Sequence, residues 1–223
     1  MKDRATGRGG LANPPIRALF LDLGNVLLHF DLRRFFQRLL PFSPLSLEEL
    51  ARRFAESPLA PLYESGKISS QEFRSDIRRL FEAEGGEDEF FEAWSSIFDP
   101  VPSVDAVFLE RLARNYTLVL VSNTNEAHFE FLERRFRLMQ AFHYLALSYR
   151  IGAKKPDPRI YLAALGMARI PAGEVFYADD LEANVEAARA IGLRAAQVRS
   201  KAELESQMAA NGVRLPDDDP AGN

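Results

Sequence analysis

Short apolar runs alternate with helix-like segments over most of the chain. Runs of this length, bounded by turn residues, predict buried strands. They lie at 16–21, 117–121, 142–147, 174–178 and 193–198. Apolar residues at helical spacing predict helices at 104–114, 126–136, 158–165 and 183–191. Because strands alternate with helices, the pattern predicts an α/β protein with a doubly wound, Rossmann-like parallel sheet and helices on both faces.

One long segment, from about 31 to 102, lacks strand-type runs. It contains Ser46 three residues before Glu49, and Ser69 three residues before Glu72, which is the spacing of a helix capping box. The predicted helices of this segment are 32–40, 47–55, 70–83 and 88–98. The pattern therefore predicts an all-helical insertion in the loop after the first strand.

The predicted domain organisation follows from this interruption. We expect a core domain formed by residues 14–30 and 103–223, and a helical cap domain formed by residues 31–102. Residues 1–13 are rich in glycine and arginine and predict a flexible N-terminal tail, and the acidic segment 215–223 predicts a loose C-terminal tail.

Composition and charge exclude several classes of function. The chain has 223 residues, of which 47% are hydrophobic and 27% charged, and its net charge is -4. These values are typical of a globular domain and give no sign of a nucleic-acid surface. No apolar run approaches the ~18 residues of a membrane span, and the N-terminal segment lacks the features of a signal peptide. We therefore expect a cytoplasmic protein that binds neither membrane nor nucleic acid.

The absence of cysteine restricts the chemistry further. Without cysteine, disulfides, thiol catalysis, iron–sulfur clusters and cysteine-type zinc sites are excluded. Histidine occurs only at the separated positions His29, His128 and His143, which argues against a histidine-rich transition-metal site. His29 and His128 are more typical of loops or helix faces than of metal ligands. A bound metal is then expected to be a hard, oxygen-liganded ion such as Mg²⁺.

Polar side chains follow three of the predicted strands or lie in an adjoining loop. In chain order they are Asp22, Ser122, the pair Lys154–Lys155 and the pair Asp179–Asp180. In parallel α/β sheets, ligands bind at the carboxyl ends of the strands. A carboxylate nucleophile, a hydroxyl donor, an ammonium group and metal-binding carboxylates are the groups that phosphoryl transfer onto an aspartate requires. Lysine occurs at only five positions, so a pair beside this site is informative.

The same segments carry a resemblance to a known family. The chain reads LDLGNV, VSNTN, KKPDPRIY and YADDLEANV at these four places. In this order and spacing they resemble the motifs of the haloacid dehalogenase (HAD) superfamily, and the helical insertion resembles its C1-type cap. The motifs FDLGNV, LSNTN, RKPxxRIY and FFDDxxxNI of the bacterial α-D-glucose-1-phosphatase-like group are similar to them. The resemblance extends over nearly all of 16–198 and implies a Mg²⁺-dependent phosphatase.

The resemblance also implies a nucleophile and metal ligands. Asp22 is the implied nucleophile, forming an aspartyl-phosphate intermediate, and it is also an implied ligand of Mg²⁺. The backbone carbonyl of Gly24 is a second implied ligand. Asp180, with Asp179 beside it, completes the protein ligands, and Asp180 is the first choice for direct coordination.

The remaining implied roles concern the phosphoryl group. Ser122 and the amide of Asn123 would hold its oxygens, and Lys155 would neutralise the nucleophile and the phosphate. Composition leaves open whether Lys154 or Lys155 faces the site. The implied substrate is a small phosphorylated metabolite, with a sugar phosphate suggested by the most similar group. We expect a monomer or weak homodimer.

One departure from most HAD phosphatases lies at Gly24. Those enzymes carry a second aspartate two residues after the nucleophile, as general acid and base. Loss of a general acid costs about 10²–10⁴-fold in rate, although the glucose-1-phosphatase-like group also has glycine there. The hypotheses are a leaving group that needs little protonation, or a proton supplied by water or by a cap residue.

Two other functions are consistent with the same residues. An L-2-haloacid dehalogenase uses the same aspartate without metal and also lacks the second aspartate, but it lacks an acidic pair such as Asp179–Asp180. A catalytically weak binding or regulatory protein of the same fold is the other alternative, and glycine at position 24 is its only support.

Overall fold

The computed structural model of the chain describes residues 14–215. Both predicted tails, 1–13 and nearly all of 215–223, lie outside the described residues. Five parallel strands form one sheet in the order β3-β2-β1-β4-β5, which confirms the predicted doubly wound α/β fold. The strands are β1 (Ala18–Leu21), β2 (Thr117–Ser122), β3 (Tyr144–Leu147), β4 (Val175–Asp179) and β5 (Arg194–Gln197).

Successive residues of each strand point to opposite faces of the sheet, and both faces are buried. On β1, Leu19 and Leu21 belong to one hydrophobic cluster, whereas Ala18 and Phe20 belong to the other. All four are fully buried. The continuous apolar run of β1 is therefore explained by helices that cover both faces of this central strand.

The core helices follow the strands in chain order. They are α6 (Ala106–Ala113), α7 (Glu126–Arg135), α8 (Ser148–Ile151), α9 (Pro158–Ala168), α10 (Glu182–Ala190) and α11 (Lys201–Ala210). Helices α6, α7 and α11 cover one face, and α9 and α10 cover the other. The sequence did not predict α8, which has a single turn, or α11, which buries only Leu204 and Met208.

The segment between β1 and β2 is helical, as its pattern predicts. Its helices are α1 (Arg33–Leu39), α2 (Leu47–Glu56), α3 (Leu59–Glu64), α4 (Ser70–Leu80) and α5 (Glu87–Ser95). They share one hydrophobic cluster rich in aromatic rings, in which the centroids of Phe35 and Trp94 lie 4.8 Å apart. Helix α3 was not predicted, because Pro58 and Pro61 interrupt the helical pattern of its short sequence.

The two predicted capping boxes have different outcomes. Ser69 and Glu72 form the complete reciprocal box at the start of α4. At the start of α2, Ser46 accepts a bond from the amide of Glu49, but the Glu49 carboxylate pairs with Arg52 and Arg53 instead of returning to the cap. The prediction of a box at Ser46 was therefore half wrong, because two guanidinium groups compete for the carboxylate.

The helical segment leaves and rejoins the core at one place. The Asp31 amide donates to the Ile97 carbonyl at 2.8 Å, and the Asp99 amide donates to the His29 carbonyl at 2.9 Å. An isolated antiparallel bridge pairs Phe30 with Phe98 beside them. Within residues 14–215, no helix is long and apolar enough to cross a membrane.

Candidate active site

Three candidate residues lie at the carboxyl ends of adjacent strands. Asp22 directly follows β1, Ser122 is the last residue of β2, and Asp179 is the last residue of β4. Strand β1 pairs with β2 on one side and β4 on the other, so both neighbours bring their final side chains to Asp22. All three residues are buried, with Asp22 only 7% exposed. The strand order therefore gathers residues that are far apart in the sequence.

A buried lysine joins two of these carboxylates. The Lys155 ammonium lies 2.5 Å from Oδ1 of Asp22 and 2.7 Å from Oδ2 of Asp179. Its side chain is only 2% exposed. The neighbouring Lys154 turns the other way and pairs with Glu64 at the end of α3. The geometry thus separates the two adjacent lysines, and Lys155 is the one that faces the site.

Burial and mutual contact shift the pKa values of Asp22, Lys155 and Asp179. Loss of solvent raises the pKa of Asp22 to about 7, even though Lys155 acts in the opposite direction. Burial alone would also raise the pKa of Asp179, but contact with the Lys155 ammonium lowers it below its usual value. The Lys155 pKa is raised, since attraction to two carboxylates outweighs its own loss of solvent. One ammonium group therefore neutralises part of the charge of two buried carboxylates.

Both oxygens of Asp179 are engaged by the protein. Oδ1 accepts bonds of 2.9 Å from the Leu181 amide and from the Asn184 side chain. Oδ2 accepts from Lys155 and from the Tyr177 hydroxyl. This arrangement suits a carboxylate that fixes the position of the Lys155 ammonium.

Asp180 is less constrained than Asp179. Its Oδ2 accepts one bond from the Asn25 side chain at 3.1 Å, and its backbone carbonyl accepts one from Gln197 at 2.8 Å. Carboxylate oxygens of Asp22, Asp179 and Asp180 all lie within 4.8 Å of one another. Lys155 contacts two of these three carboxylates, so the cluster keeps an excess of negative charge, and oxygen ligands of this type fit a hard divalent cation such as Mg²⁺.

Asn123 holds the loop that carries Lys155. Its Oδ1 accepts from the Lys155 amide at 2.7 Å, and its Nδ2 donates to the Lys155 carbonyl at 3.0 Å. The peptide bond between Lys155 and Pro156 is cis. The sequence suggested only a backbone role for Asn123, so the contribution of its side chain was not predicted.

A cavity of about 140 Å³ opens beside Gly24, between the core and the helical segment. Ser122 and Asn123 line it from the core, and Phe54 and Trp94 line it from the helices. A Cβ built on Gly24 would lie 2.8 Å from Cε1 of Phe30. The aromatic ring therefore fills the space that a larger side chain at position 24 would need.

Four residues that support the site were not singled out in the sequence. They are Tyr177 and Asn184, which bond Asp179, and Asn25 and Gln197, which bond Asp180. Asn184 lies within the YADDLEANV segment, and Tyr177 precedes Asp179 by two residues, which places both side chains on one face of β4. These spacings are the signals that could have identified them.

Comparison with known proteins identifies the family of the chain. The family pattern of haloacid dehalogenase-like hydrolases matches residues 16–192. D-ribitol-5-phosphate phosphatase from Bacteroides thetaiotaomicron is 23% identical over 199 residues, which cover 86% of this chain and 97% of that enzyme.

Solved structures show the same likeness. A HAD-family enzyme of Bacteroides thetaiotaomicron in complex with magnesium and inorganic phosphate has a TM-score of 0.75 and 26% identity, over 83% of this chain and 96% of that one. An L-2-haloacid dehalogenase shares the fold with a TM-score of 0.59 and 23% identity, over 82% of this chain and 83% of that one. The family match covers most of the chain and confirms the resemblance found in the sequence: the protein belongs to the haloacid dehalogenase-like hydrolase family.

Proposed function

We propose that this hydrolase is a Mg²⁺-dependent phosphatase of small phosphomonoesters that acts through an aspartyl-phosphate on Asp22. The observation that carries the proposal is the Lys155 ammonium held between Asp22 and Asp179, with Asp180 beside them. The relative that is a D-ribitol-5-phosphate phosphatase, and the similar structure that contains magnesium and phosphate, support the same reaction.

Each residue has a chemical part in the reaction. An oxygen of Asp22 attacks phosphorus, and the bond from phosphorus to the ester oxygen breaks, with its electron pair leaving on that oxygen. Water then hydrolyses the aspartyl-phosphate, which releases phosphate and restores the carboxylate. Lys155, Ser122 and the Asn123 amide offset the charge on the phosphoryl oxygens. The leaving oxygen also needs a proton, and glycine at position 24 has no side chain that could donate it.

The acidic cluster supplies the metal site of this proposal. Mg²⁺ held by Asp22, Asp180 and the Gly24 carbonyl, with Asp179 beside them, would contribute positive charge to the phosphoryl oxygens. Asp180 is favoured over Asp179 as a direct ligand, because both oxygens of Asp179 already accept bonds from the protein.

We further infer that residues 31–102 act as a cap domain on the core formed by 14–30 and 103–223. The single place where the chain crosses, at His29–Asp99 and Asp31–Ile97, suits a hinge. The cavity lies between the two parts, so closure of the cap would exclude water from the reacting phosphoryl group.

The experiment is hydrolysis of p-nitrophenyl phosphate by purified protein with Mg²⁺, with EDTA, and with Mg²⁺ restored. Activity should vanish with EDTA and return with the metal. Asp22→Asn should lower the rate of hydrolysis by at least about 10³-fold, since the nucleophile is lost. Asp88→Asn, at an exposed aspartate in the first turn of α5, is the matched control and should keep full activity.

Two outcomes would contradict the proposal. The protein could release halide from an L-2-haloacid without metal and lose this activity in Asp22→Asn. That result would favour the dehalogenase function, which glycine at position 24 supports. Absence of turnover on any ester, with Asp22→Asn indistinguishable from the parent protein, would favour a binding or regulatory role.

A further inference from the structure

The cavity beside Gly24 is where the part of the substrate beyond the phosphoryl group must lie. It adjoins Gly24, Ser122 and Asn123 on the core side, so it is continuous with the site at the strand ends. Its opposite wall is made of apolar side chains, mostly aromatic. They include Phe30, Leu32, Phe54, Trp94, Ile97 and Phe98. Such a wall selects the leaving group of the ester.

The polar side chains on the wall are mostly engaged with the protein. Asn123 bonds the backbone of Lys155 with both of its polar atoms. His128 uses one ring nitrogen toward Asn125 and the other toward the Trp94 carbonyl. The Glu64 carboxylate is paired with Lys154. A leaving group therefore meets few groups that are available for new hydrogen bonds.

The Trp94 indole N–H donates to Asn125, so the hydroxyls of Ser122 and Thr124 are the remaining polar side-chain groups on this wall. Ser122 serves the phosphoryl group in the proposed reaction, which leaves Thr124 for the rest of the substrate. A polyol carries a hydroxyl on nearly every carbon, and each one that is buried without a partner lowers affinity substantially. The cavity thus disfavours a sugar or sugar-alcohol leaving group.

The same wall explains how the reaction proceeds without the second aspartate. The Phe30 ring occupies the space next to Gly24, so neither position 24 nor its surroundings place an acid there. Among the described residues that line the cavity, the ionisable ones are Glu64 and His128, and burial lowers the pKa of His128 to about 4. Both ring nitrogens of His128 are engaged and Glu64 is paired with Lys154, so this wall offers the leaving oxygen no unengaged acid.

We propose that the substrate is the phosphate monoester of a compact phenol-type alcohol, whose ring occupies this cavity and which departs as the phenolate. The volume of about 140 Å³ is close to that of a cavity that holds one benzene ring. Phenols ionise near pH 10, whereas aliphatic alcohols are about as weakly acidic as water, near 16. The phosphorus–oxygen bond breaks onto the phenolate oxygen, which takes its proton from water after release. This inference rests on the proposed phosphatase function.

The test compares three esters with Mg²⁺: phenyl phosphate, benzyl phosphate and D-ribitol 5-phosphate. Benzyl and ribitol esters both leave as alkoxides, so their comparison isolates recognition by the cavity. We expect KM for the benzyl ester to be at least about tenfold lower. Phenyl and benzyl esters both carry a ring, so their comparison isolates the missing acid, and kcat should favour phenyl phosphate by at least about 100-fold.

A pair of matched variants ties the result to the cavity. Phe30→Ala should lower kcat/KM for phenyl phosphate by roughly tenfold, a larger loss than the one it causes for D-ribitol 5-phosphate. Phe42→Ala is the control, because Phe42 is exposed to a similar extent (38% against 44% for Phe30) and does not line the cavity. Phe30→Leu should restore most of the loss.

The outcomes separate this inference from the proposed function. Mg²⁺-dependent hydrolysis that favours D-ribitol 5-phosphate over benzyl phosphate, or equal losses in Phe30→Ala and Phe42→Ala, would overturn the inference and leave the phosphatase intact. Absence of Mg²⁺-dependent turnover on all three esters and on p-nitrophenyl phosphate would instead overturn the proposed function.

Discussion

The imidazole of His128 lies flat against the indole of Trp94, with ring centroids 4.4 Å apart and an angle of 15° between the planes. The Trp94 carbonyl lies 2.9 Å from Nε2 of His128, and Asn125 contacts both rings, at Trp94 Nε1 and at His128 Nδ1. Because Trp94 belongs to α5 and His128 to α7, this contact joins the helical insertion to the core.

His128 should make stability depend on pH. Its folded-state pKa, about 4, lies below the unfolded value near 6.5 because the ring is buried. The unfolded chain therefore binds more protons between pH 4 and 6.5. The contribution of His128 to the free energy of unfolding is full above pH 6.5 and is lost as the pH falls toward 4. Relative to His128→Gln, the parent should lose on the order of 2–3 kcal/mol between pH 7 and 4, measured by urea unfolding. A constant difference at all pH values would contradict a buried neutral imidazole.

The two adjacent lysines should respond differently to the same substitution. Lys155→Met leaves two buried carboxylates without their cation, which should cost about 3–5 kcal/mol in the free energy of unfolding and roughly 10²–10³-fold in kcat.

Lys154→Met is the matched control for that change. It removes a partly exposed pair with Glu64 and should cost about 0–1 kcal/mol, with kcat within a few-fold of the parent. Urea unfolding and turnover of p-nitrophenyl phosphate measure both variants. Equal effects would show that the buried geometry of Lys155 has no special importance.

Asp22 should destabilise the metal-free protein at high pH. Burial raises its pKa to about 7, above the usual value near 4. The contribution of Asp22 to the free energy of unfolding is therefore full below pH 4 and is lost as the pH rises through 7. Asp22→Asn removes the charge, so with EDTA at pH 8 it should be more stable than the parent by on the order of 1–2 kcal/mol.

Two conditions serve as controls for this prediction. The difference should shrink at pH 5, where Asp22 of the folded protein is protonated. Added Mg²⁺ should raise the melting temperature of the parent more than that of Asp22→Asn, because the variant lacks one of the carboxylate ligands. A variant that is less stable than the parent at pH 8 in EDTA would refute the unfavourable burial of this charge.

Asn123 should act through the position of Lys155. Asn123→Ala removes both bonds to the Lys155 backbone, and a displacement of about 1 Å at a reacting group can cost 10²-fold in rate. We expect kcat for p-nitrophenyl phosphate to fall by about 10–100-fold, with the melting temperature changed much less. Asn115→Ala, at an exposed asparagine after α6, is the control and should leave kcat unchanged. A loss confined to stability would argue against a positioning role.

The sheet could be predicted from the sequence because its strands are buried on both faces. A short, continuous apolar run such as that of β1 is typical of a strand inside a parallel sheet, and the parallel arrangement brings together the side chains that follow such runs. Asp22, Ser122 and Asp179 were therefore found from local pattern alone. The predicted helix ends were less accurate, and α3 was not predicted because its prolines obscure the helical periodicity.

Other features depend on contacts between distant segments and leave little local trace. Lys154 and Lys155 are identical in type, and only the packed loop decides which one is buried. Tyr177 resembles an ordinary core aromatic in the sequence, and its role depends on the contact of its hydroxyl with Asp179. Phe30 is six residues from Gly24, and its ring reaches that glycine only because the chain turns back between them.

The central place of β1 has a consequence for the order of folding. Ala18 pairs with Thr117 on one side and with Val175 on the other, so the first strand synthesised acquires its neighbours only after most of the chain exists. Pairings so distant in sequence carry a high loop-closure entropy and form slowly. A nascent chain that ends before β4 would therefore carry Asp22 and Lys155 without Asp179 or Asp180. Enzymatic competence should appear as one of the last events of synthesis, well after the helical insertion has emerged.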